Sequence, residues 1–455
     1  MFQNMLPGLV YTHFKEATYM KYTPEQIKST LNNCISDMAK YAWLYVNNPA
    51  SDFTRKRKIS FEDTMKCIIS MQRSPNSEEL LEYYHYATDC PTQSAFIQQR
   101  AKIRHEAFQI LYQEFMEKFS FEGTYKGYRL LACDGTRLNI AHNPEDTATF
   151  CNSAGGEYNQ LHLNTLYDVG NNIYIDAVVQ NLTEMDERRA LCDMLDRFCE
   201  NTEDKAIFIA DRGYESLNVF AHAIENKTRF LIRAKTPASN TTLLSSLSLP
   251  YTKELDIDIE RFLTRKNTEN IRNQSEIYKR IDGRTFDYLD PKARTPYYIT
   301  FRVVSFPISD TENEYIITNL PRYEFPPEEI KRLYHMRWGI ETSYRELKHE
   351  VDLIYFHSQK PEFVKQEIFA RLILYNFSQL IASQVIIEKK STTKHEYRPN
   401  FSMVVRICIE FIRQLKDGPP MDVTGLIGKY LLPIRPDRKF SRCGESRPAK
   451  SFNYR

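Results

Sequence analysis

Three acidic residues stand where their side chains could bind a metal ion. Asp134 ends the apolar run RLLACD, Asp211 ends the apolar run AIFIAD, and Glu341 lies in the helix-like segment IKRLYHMRWGIETSYRELKHEV. Carboxylate oxygens are the ligands that Mg²⁺ prefers, and carboxylates that cluster without a metal repel one another. Where three such side chains converge, we expect them to recruit divalent cations.

The segment around Glu341 also carries cationic side chains at helical spacing. On a helix of about 100° per residue, Tyr334, Arg337, Glu341, Arg345 and Lys348 fall within one arc of about 80°. Beside this arc lies an apolar face that would anchor the helix on a sheet. That face consists of Leu333, Met336, Ile340, Tyr344, Leu347 and Val351. The alternative interpretation is a solvated stripe in which Glu341 and Arg345 form a weak ion pair one turn apart.

The spacing Y-x2-R-x3-E-x6-K, filled by Tyr334, Arg337, Glu341 and Lys348, resembles the signature of the DDE transposases of the insertion-sequence-4 group. The resemblance extends to both aspartate-bearing strands and to a β-rich stretch placed before the glutamate helix. It covers most of the chain from residue 128 to residue 350.

This resemblance implies a metal-dependent active site for DNA cleavage. It implies that Asp134, Asp211 and Glu341 are catalytic and bind two Mg²⁺ ions, with Mn²⁺ as a substitute. Two such ions about 3.5 to 4 Å apart activate the attacking oxygen and stabilise the leaving oxygen of a phosphodiester.

The resemblance also implies DNA contacts for the cationic residues. Arg337 and Lys348 would hold phosphates near the scissile bond, Tyr334 would contact the DNA backbone, and Arg345 would add a further contact. Arginine suits bidentate phosphate binding, whereas lysine acts as a point charge. Arg212, next to the second aspartate, is another candidate, and an ordinary surface arginine is its alternative interpretation.

One aromatic feature departs from the family pattern. Trp338 stands next to the motif arginine, and in the family an aromatic residue there helps to hold a base flipped out of the duplex. The family also places a tryptophan in the β-rich insertion, but residues 236 to 322 contain none. Either Tyr288, Tyr297 or Tyr298 serves in its place, or these are ordinary strand residues and the base is handled differently.

The surrounding elements predict a mixed α/β fold. Strand-like runs and amphipathic helices alternate in the order β, β, β, α, β, α, β, which resembles the ribonuclease-H-like core of retroviral integrases and transposases. Its first helix would have Thr183 as N-cap, with Asp186 three residues later. In such a core the first and fourth strands end side by side, about 4.8 Å apart, which would bring Asp134 and Asp211 together.

Five regions follow from these patterns. The chain divides into an N-terminal helical DNA-binding domain at 1–120, the first part of the core at 121–235, a β-rich insertion at 236–322, the second part of the core at 323–392, and a C-terminal helical region with a basic tail at 393–455. Within the first region, EELLEYYHYA, TDCP and TQSAFIQQRAKI have a helix, turn, helix layout, which is typical of DNA-reading units and of ordinary helical hairpins.

Charge is concentrated locally, although the net charge of the 455 residues is only +2. Basic clusters occur at 55–58 and from Arg435 to Arg455. We expect other polar residues to have no part in a metal site: Asp256 and Asp258 should share one solvent-facing side of a strand. We expect the histidines near the motif to lie on the surface, namely His335, His349 and His357.

Composition excludes several protein classes. Hydrophobic residues make up 42% and charged residues 26% of the chain, as in ordinary folded proteins. The nine cysteines form no CxxC pair, and no glycine-rich phosphate loop occurs, so neither a zinc site nor nucleotide hydrolysis is expected. No leader or membrane-length apolar run is visible, and we expect a bacterial cytoplasmic protein, nucleoid-associated when bound to DNA.

The resemblance implies a transposase that excises its element through a hairpin intermediate and inserts it by strand transfer. Its partners would be double-stranded DNA, both terminal inverted repeats and target, and a second copy of the chain in a synaptic homodimer, with no membrane. Two alternatives stay open: a transposase-derived DNA-binding protein without cleavage activity, and a structure-selective ribonuclease-H-like nuclease.

Overall fold

The computed structural model describes residues 21–153, 156–239, 241–250, 254–281, 285–309, 312–387, 395–415, 418–434 and 453–454. The basic tail expected from Arg435 lies outside these residues, apart from 453–454.

Helices and strands alternate along most of the described chain. The helices are α1 Pro24–Lys40, α2 Phe61–Ser70, α3 Asn76–Tyr83, α4 Gln93–Arg100, α5 Glu106–Met116, α6 Glu187–Asn201, α7 Leu217–Glu225, α8 Glu269–Asn273, α9 Pro327–Met336, α10 Trp338–His349, α11 Pro361–Ala382, α12 Phe401–Arg413 and α13 Val423–Gly428. The strands are β1 Arg129–Ile140, β2 Phe150–Ser153, β3 Gly156–Asp168, β4 Ile173–Asn181, β5 Ala206–Ala210, β6 Arg229–Ala234, β7 Leu255–Thr264, β8 Tyr278–Arg280, β9 Tyr297–Pro307, β10 Asn313–Thr318, β11 Tyr355–Phe356, β12 Tyr397–Pro399, β13 Leu431–Pro433 and β14 Asn453–Tyr454. The mixed α/β class expected from the sequence is confirmed.

One large sheet organises the described residues. Its strands follow the order β2-β3-β1-β5-β6-β10-β9-β7-β8, and β4 pairs with β3 beside this path. The pairing of β1 with β5 and of β5 with β6 is parallel, whereas β3 runs antiparallel to both β1 and β4. The β1–β5 pairing ends at Cys133 and Ala210, where β5 stops, whereas β1 continues beside β3 to Ile140. Asp134 therefore lies within its strand and not at the end of it, as the sequence had suggested, because β3 supplies a pairing partner beyond the end of β5.

Both faces of the central strands are buried. On β1, Leu130 and Ala132 belong to one hydrophobic core, while Leu131 and Cys133 belong to the other. The first core contains residues of α1, α2, α5, α10 and α11, and the second contains residues of α6 and α7. A strand that is covered on both sides reads as a continuous apolar run, which is why β1 and β5 are recognisable in the sequence.

The β-rich stretch before α9 extends the same sheet. Strand β10 pairs antiparallel with β6 over Tyr315–Thr318, and β9 and β7 follow on its other side. Residues 236–322 thus contribute strands to the large sheet instead of forming a sheet of their own.

Helix α6 begins later than the sequence suggested. Its N-cap is Asp186, whose carboxylate accepts a hydrogen bond from the backbone N–H of Arg189. Thr183, the expected cap, lies in a short 3₁₀ turn at Leu182–Glu184. The prediction was wrong because either residue is a suitable cap, and the contacts of Asp186 with Gln180 on β4 involve a different element.

The motif segment forms two helices instead of one. Helices α9 and α10 meet at Arg337, whose backbone stays helical, with φ −51° and ψ −28°. Around it the N–H groups of Arg337 and Ile340 bond three residues back, to Tyr334 and Arg337, so the turn is tightened. The expected apolar face is buried on both helices.

Helix α11 lies at the centre of the helical part. It packs against α5, α2 and α12, so N-terminal and C-terminal helices share one core with it. Within the described residues, no helix combines the length and the apolar character needed to cross a membrane.

Candidate active site

Asp134 and Asp211 lie beside each other where β5 ends. Their preceding residues, Cys133 and Ala210, are register partners in the parallel pair β1–β5. Neighbouring strands are about 4.8 Å apart, so the two aspartates follow adjacent backbone positions. Each carboxylate also accepts a nearby backbone N–H: Gly135 donates to Asp134 Oδ1 at 2.9 Å, and Gly213 donates to Asp211 Oδ1 at 2.7 Å.

Arg337 connects Glu341 to this pair. Its Nη2 donates to Glu341 Oε1 at 2.7 Å, and its Nη1 lies 3.7 Å from Asp134 Oδ2. The arginine side chain is only 9% exposed, whereas the side chains of Asp134 and Glu341 are 26% and 31% exposed. A buried guanidinium therefore holds together two carboxylates from β1 and α10.

The charges of these groups act on one another. The pKa of Asp134 is raised to about 6, mainly because the carboxyl group is buried; Arg337 opposes the rise, and Asp211 and Glu341 add to it. Burial alone would lower the pKa of Arg337, but Tyr334, Glu341 and Asp134 raise it above its ordinary value. The mutual repulsion of the carboxylates is the feature that a bound cation would relieve.

Tyr344 fixes α10 against the sheet. Its hydroxyl donates to the backbone carbonyl of Asp134 at 2.7 Å and lies 2.8 Å from the Thr165 hydroxyl on β3. Asp134 and Thr165 are register partners in the β1–β3 pair. One buried phenol thus ties the glutamate helix to the strand that carries the first aspartate.

The other motif residues differ in exposure. Tyr334 is buried, with the Arg337 guanidinium 5.7 Å from its ring centroid and its hydroxyl without a hydrogen-bond partner among the described residues. Lys348 is half-buried; burial lowers its pKa, and the charge of Asp134 opposes that effect. Arg345 is exposed. The single arc expected for one continuous helix is therefore only partly realised.

Trp338 opens α10 directly after Arg337 and is half-buried. It is adjacent along the chain to the arginine that pairs with Asp134 and Glu341.

Arg212 follows Asp211 and lines a cavity of about 180 Å³ whose walls carry several cationic side chains. The sequence motif does not indicate this cavity. Arg233 and Lys235, from the end of β6, also line it. Arg233 pairs with Glu314 of β10 at 3.1 Å, and Lys235 donates to the Thr241 hydroxyl at 2.9 Å. In the sequence, the cavity could have been suggested only by the two cationic residues at the end of the apolar strand TRFLIRAK.

The three candidate tyrosines of the β-rich stretch have different surroundings. Tyr297 donates to Glu225 Oε1 at 2.7 Å, and the ring of Tyr288 packs edge-on against His222 at 4.9 Å. Both are thereby engaged with α7. Tyr298 is 47% exposed and packs on Phe262 of β7.

Two ordinary interpretations need correction or refinement. His357 is buried, not on the surface, because its ring and backbone N–H both contact the buried carboxylate of Glu367. Asp256 and Asp258 do share one side of β7, but Arg322 pairs with both. Neither feature was visible in the sequence, since each depends on a partner distant along the chain.

The donor set fits a hard divalent cation in chemical type. Asp134, Asp211 and Glu341 offer only carboxylate oxygens, the ligands of Mg²⁺ and Mn²⁺. In the part of the chain that the structure describes, no three acidic, histidine or cysteine side chains are close enough to hold an ion together. Asp134 and Asp211 follow paired backbone positions, and Glu341 is linked to Asp134 through the guanidinium of Arg337.

The family and sequence comparisons agree with the motif. Residues 125–377 match the family described as the transposase DDE domain. The transposase InsG for insertion sequence element IS4 of Escherichia coli K12 is 22% identical over 425 residues, covering 87% of each chain. A solved structure, the cryo-EM structure of a piggyBac transposase synaptic complex with hairpin DNA, matches with a TM-score of 0.44 and 10% identity, covering 88% of this chain and 83% of that one.

Proposed function

This chain belongs to the DDE transposases, metal-dependent enzymes of DNA cleavage and strand transfer, and we propose that it acts on the terminal inverted repeats of its own mobile element. It excises the element, with a hairpin as intermediate, and joins the released 3′ ends to target DNA. The resemblance to the insertion-sequence-4 group expected from the sequence is confirmed.

In this proposal Asp134, Asp211 and Glu341 hold two Mg²⁺ ions, or Mn²⁺ in their place. The bound ions supply activation of the attacking oxygen and neutralisation of the leaving oxygen. The observation that carries the assignment is that the two aspartates directly follow the paired residues Cys133 and Ala210, with Glu341 tied to Asp134 through Arg337.

Arg337 has two successive roles in this proposal. Without ions it neutralises Asp134 and Glu341, which otherwise repel each other within a half-buried site. When cations take over that task, the guanidinium is available to a phosphate of the DNA, for which its planar pair of N–H donors is suited.

The DNA is held by the residues around this centre. Lys348 contributes a point charge near Asp134, and Arg212 binds DNA at the cavity beside Asp211. Tyr334 and Trp338 contact the DNA strand near Arg337. Exposed Arg345 adds a more distant phosphate contact.

We further propose that strands β4-β3-β1-β5-β6 with α6 and α7 are a ribonuclease-H-like core. The parallel β1–β5–β6 set and the antiparallel β3 and β4 support this assignment. In the same proposal the helices before residue 121 recognise terminal-repeat DNA, the C-terminal region assists assembly, and two copies form the synaptic complex.

The decisive experiment substitutes each carboxylate in turn. We expect Asp134→Ala, Asp211→Ala and Glu341→Ala to abolish Mg²⁺-dependent cleavage of DNA carrying the element's ends. Two carboxylates alone cannot hold two metal ions in the geometry that the reaction requires. Cleavage is followed on labelled duplexes, and binding of the same duplexes by mobility shift.

Asp258→Ala is the matched control, since this aspartate is 60% exposed and pairs with Arg322 at the surface. It should cut normally. Cleavage that survives in any of the three carboxylate variants would remove that residue from the site. Transfer of a 3′ end into plasmid DNA distinguishes the transposase from a structure-selective nuclease, which would cut without joining.

A further inference from the structure

A glycine follows each aspartate closely, and both glycines face one carboxyl group. Gly135 lies in β1 next to Asp134, and Gly213 lies in the short 3₁₀ turn that follows Asp211. A Cβ atom added at Gly135 would lie 2.9 Å from Oε1 of Glu187. A Cβ atom added at Gly213 would lie 3.0 Å from Oδ1 of Asp211 and 3.5 Å from Oε2 of Glu187. The two oxygens of Glu187 are thus directed to β1 and to the turn after Asp211, one to each.

Glu187 lies on the side of β1 that faces away from the Asp134 side chain. Successive residues of a strand point to opposite faces, so Gly135 faces away from the side to which Asp134 points. His162 of β3 lies on this rear side, where its Nε2 is 3.1 Å from Glu187 Oε1 and would contact a Cβ at Gly135. The His162 ring is buried, and neither of its nitrogens has an aligned hydrogen-bond partner among the described residues.

The position of Glu187 is fixed by its own helix end. Asp186, the N-cap of α6, exchanges hydrogen bonds with Gln180 of β4, at 3.2 Å from its N–H and 3.3 Å to its carbonyl. Arg188 donates to the Gly213 carbonyl at 2.9 Å. The first turn of α6 is therefore attached both to the sheet and to the turn that follows Asp211.

From this arrangement we propose that Glu187 is a positioning residue, which sets the separation of Asp134 and Asp211 by filling the space between β1 and the turn that follows Asp211. The proposal rests on the proposed function, because that separation matters only if both aspartates bind the same ions. The role is one of shape: an uncharged side chain of equal size, able to contact His162, should serve as well. Groups behind metal ligands commonly change metal affinity by about 10- to 100-fold when removed.

The test measures Mn²⁺ binding to the full chain without DNA, by the loss of the free-ion signal in electron paramagnetic resonance. We expect Glu187→Ala to weaken Mn²⁺ binding by about tenfold or more. Glu187→Gln should restore an affinity close to that of the unchanged chain. The control is Glu184→Ala, an exposed carboxylate in the 3₁₀ turn just before α6, which should bind Mn²⁺ normally.

Each outcome decides a separate point. Unchanged Mn²⁺ affinity in Glu187→Ala overturns the positioning role, because the side chain then has no effect on metal binding. Equal losses of affinity in Glu187→Ala and Glu187→Gln also overturn it, because the charge of Glu187 and not its shape would then be the cause. A loss of affinity matched by a fall in the metal-free melting midpoint would make Glu187 a stability residue only, and would also overturn it. Asp134→Asn is measured in parallel: if this variant binds Mn²⁺ normally, the proposed metal centre itself is wrong.

Discussion

Gly135 shows how one residue of the site depends on its neighbours. The position is part of β1, where alanine is ordinarily acceptable, but the space for a Cβ is taken by buried His162 and by Glu187. The glycine is therefore required by contacts from two other elements and not by its backbone conformation.

We predict that Gly135→Ala lowers the free energy of unfolding by about 1 to 3 kcal/mol, the usual cost of an overpacked interior. Urea unfolding would measure it. In a chain that already carries His162→Ala the same substitution should cost clearly less, because the side chain that it would contact is gone. Equal costs in both backgrounds would contradict this account.

Lys348 permits a second test at the scale of single residues. A lysine that contacts one DNA phosphate releases about one counterion equivalent on binding. We predict that Lys348→Gln weakens binding of end-containing DNA. The fall of log affinity with log salt concentration should also become less steep, by about one unit of slope. Fluorescence anisotropy over a salt series would measure the slope.

Lys365→Gln serves as the comparison, because Lys365 pairs with Glu362 on the same helix and has no assigned DNA contact. Its slope should stay at the value of the unchanged chain. Should both lysines give identical slopes, Lys348 has no phosphate contact.

At the scale of elements, the sequence was most informative where a pattern is local. The apolar runs that became β1 and β5, and the apolar face of Leu333, Ile340 and Leu347, are periodic over a few residues and were recognised correctly. The pairing of β6 with β10 was not foreseen, because it joins Ile232 to Ile317 across a long stretch of chain.

The same distinction applies to the candidate site. The motif spacing selected Arg337 and Glu341, but the tightened turn at Arg337 was invisible, because helical spacing alone predicts an unbroken helix. Glu187 and Arg233 were missed for a related reason: each gains its neighbours only when distant strands are paired.

Tyr344 is the element-scale test, since it ties α10 to β1 and β3. We predict that Tyr344→Phe lowers the free energy of unfolding by about 1 to 3 kcal/mol, because the buried Thr165 hydroxyl and Asp134 carbonyl lose a partner. Cleavage should fall as well, since Glu341 is then less firmly placed. Chemical denaturation and the cleavage assay give the two readouts.

Tyr355→Phe is a suitable companion variant, because this half-buried tyrosine lies on β11 and outside the site. A stable Tyr344→Phe protein with unchanged cleavage would show that the hydroxyl does not position the helix.

At the scale of the whole molecule, buried ion pairs join the N-terminal helices to the helices that follow the site. Arg100 at the end of α4 donates to Glu367 of α11 at 2.8 Å, and Arg413 of α12 donates to Glu79 of α3 at 2.8 Å. All four side chains are almost completely buried. Removing one member of such a pair leaves the other charge buried without a partner, which strongly destabilises the fold.

We predict that Glu367→Gln lowers the free energy of unfolding at neutral pH by about 3 to 5 kcal/mol, because Arg100 is left buried without its counter-charge. Urea unfolding measures the effect. Glu362→Gln, on the same helix but 60% exposed, should change stability little.

The pH dependence of this difference has a definite sign. Burial alone would raise the pKa of Glu367, but Arg100, His357 and Arg371 outweigh it and lower that pKa from 4.5 to about 2. The stabilisation is therefore complete above about pH 4.5 and is lost as the pH falls toward 2. The unchanged chain should lose this contribution over that range, whereas Glu367→Gln has none to lose; parallel curves for the two would contradict the assignment.

The seam between β6 and β10 limits how the molecule can move. Main-chain pairing runs without interruption from the aspartate strands through Ile232 and Ile317 to β9 and β7. A hinge at this seam would have to break buried ladder bonds, which is costly in free energy. Strands β7, β9 and β10 should consequently move with β6 as one rigid unit, and accommodation of a DNA duplex at the candidate site should come from loops and side chains.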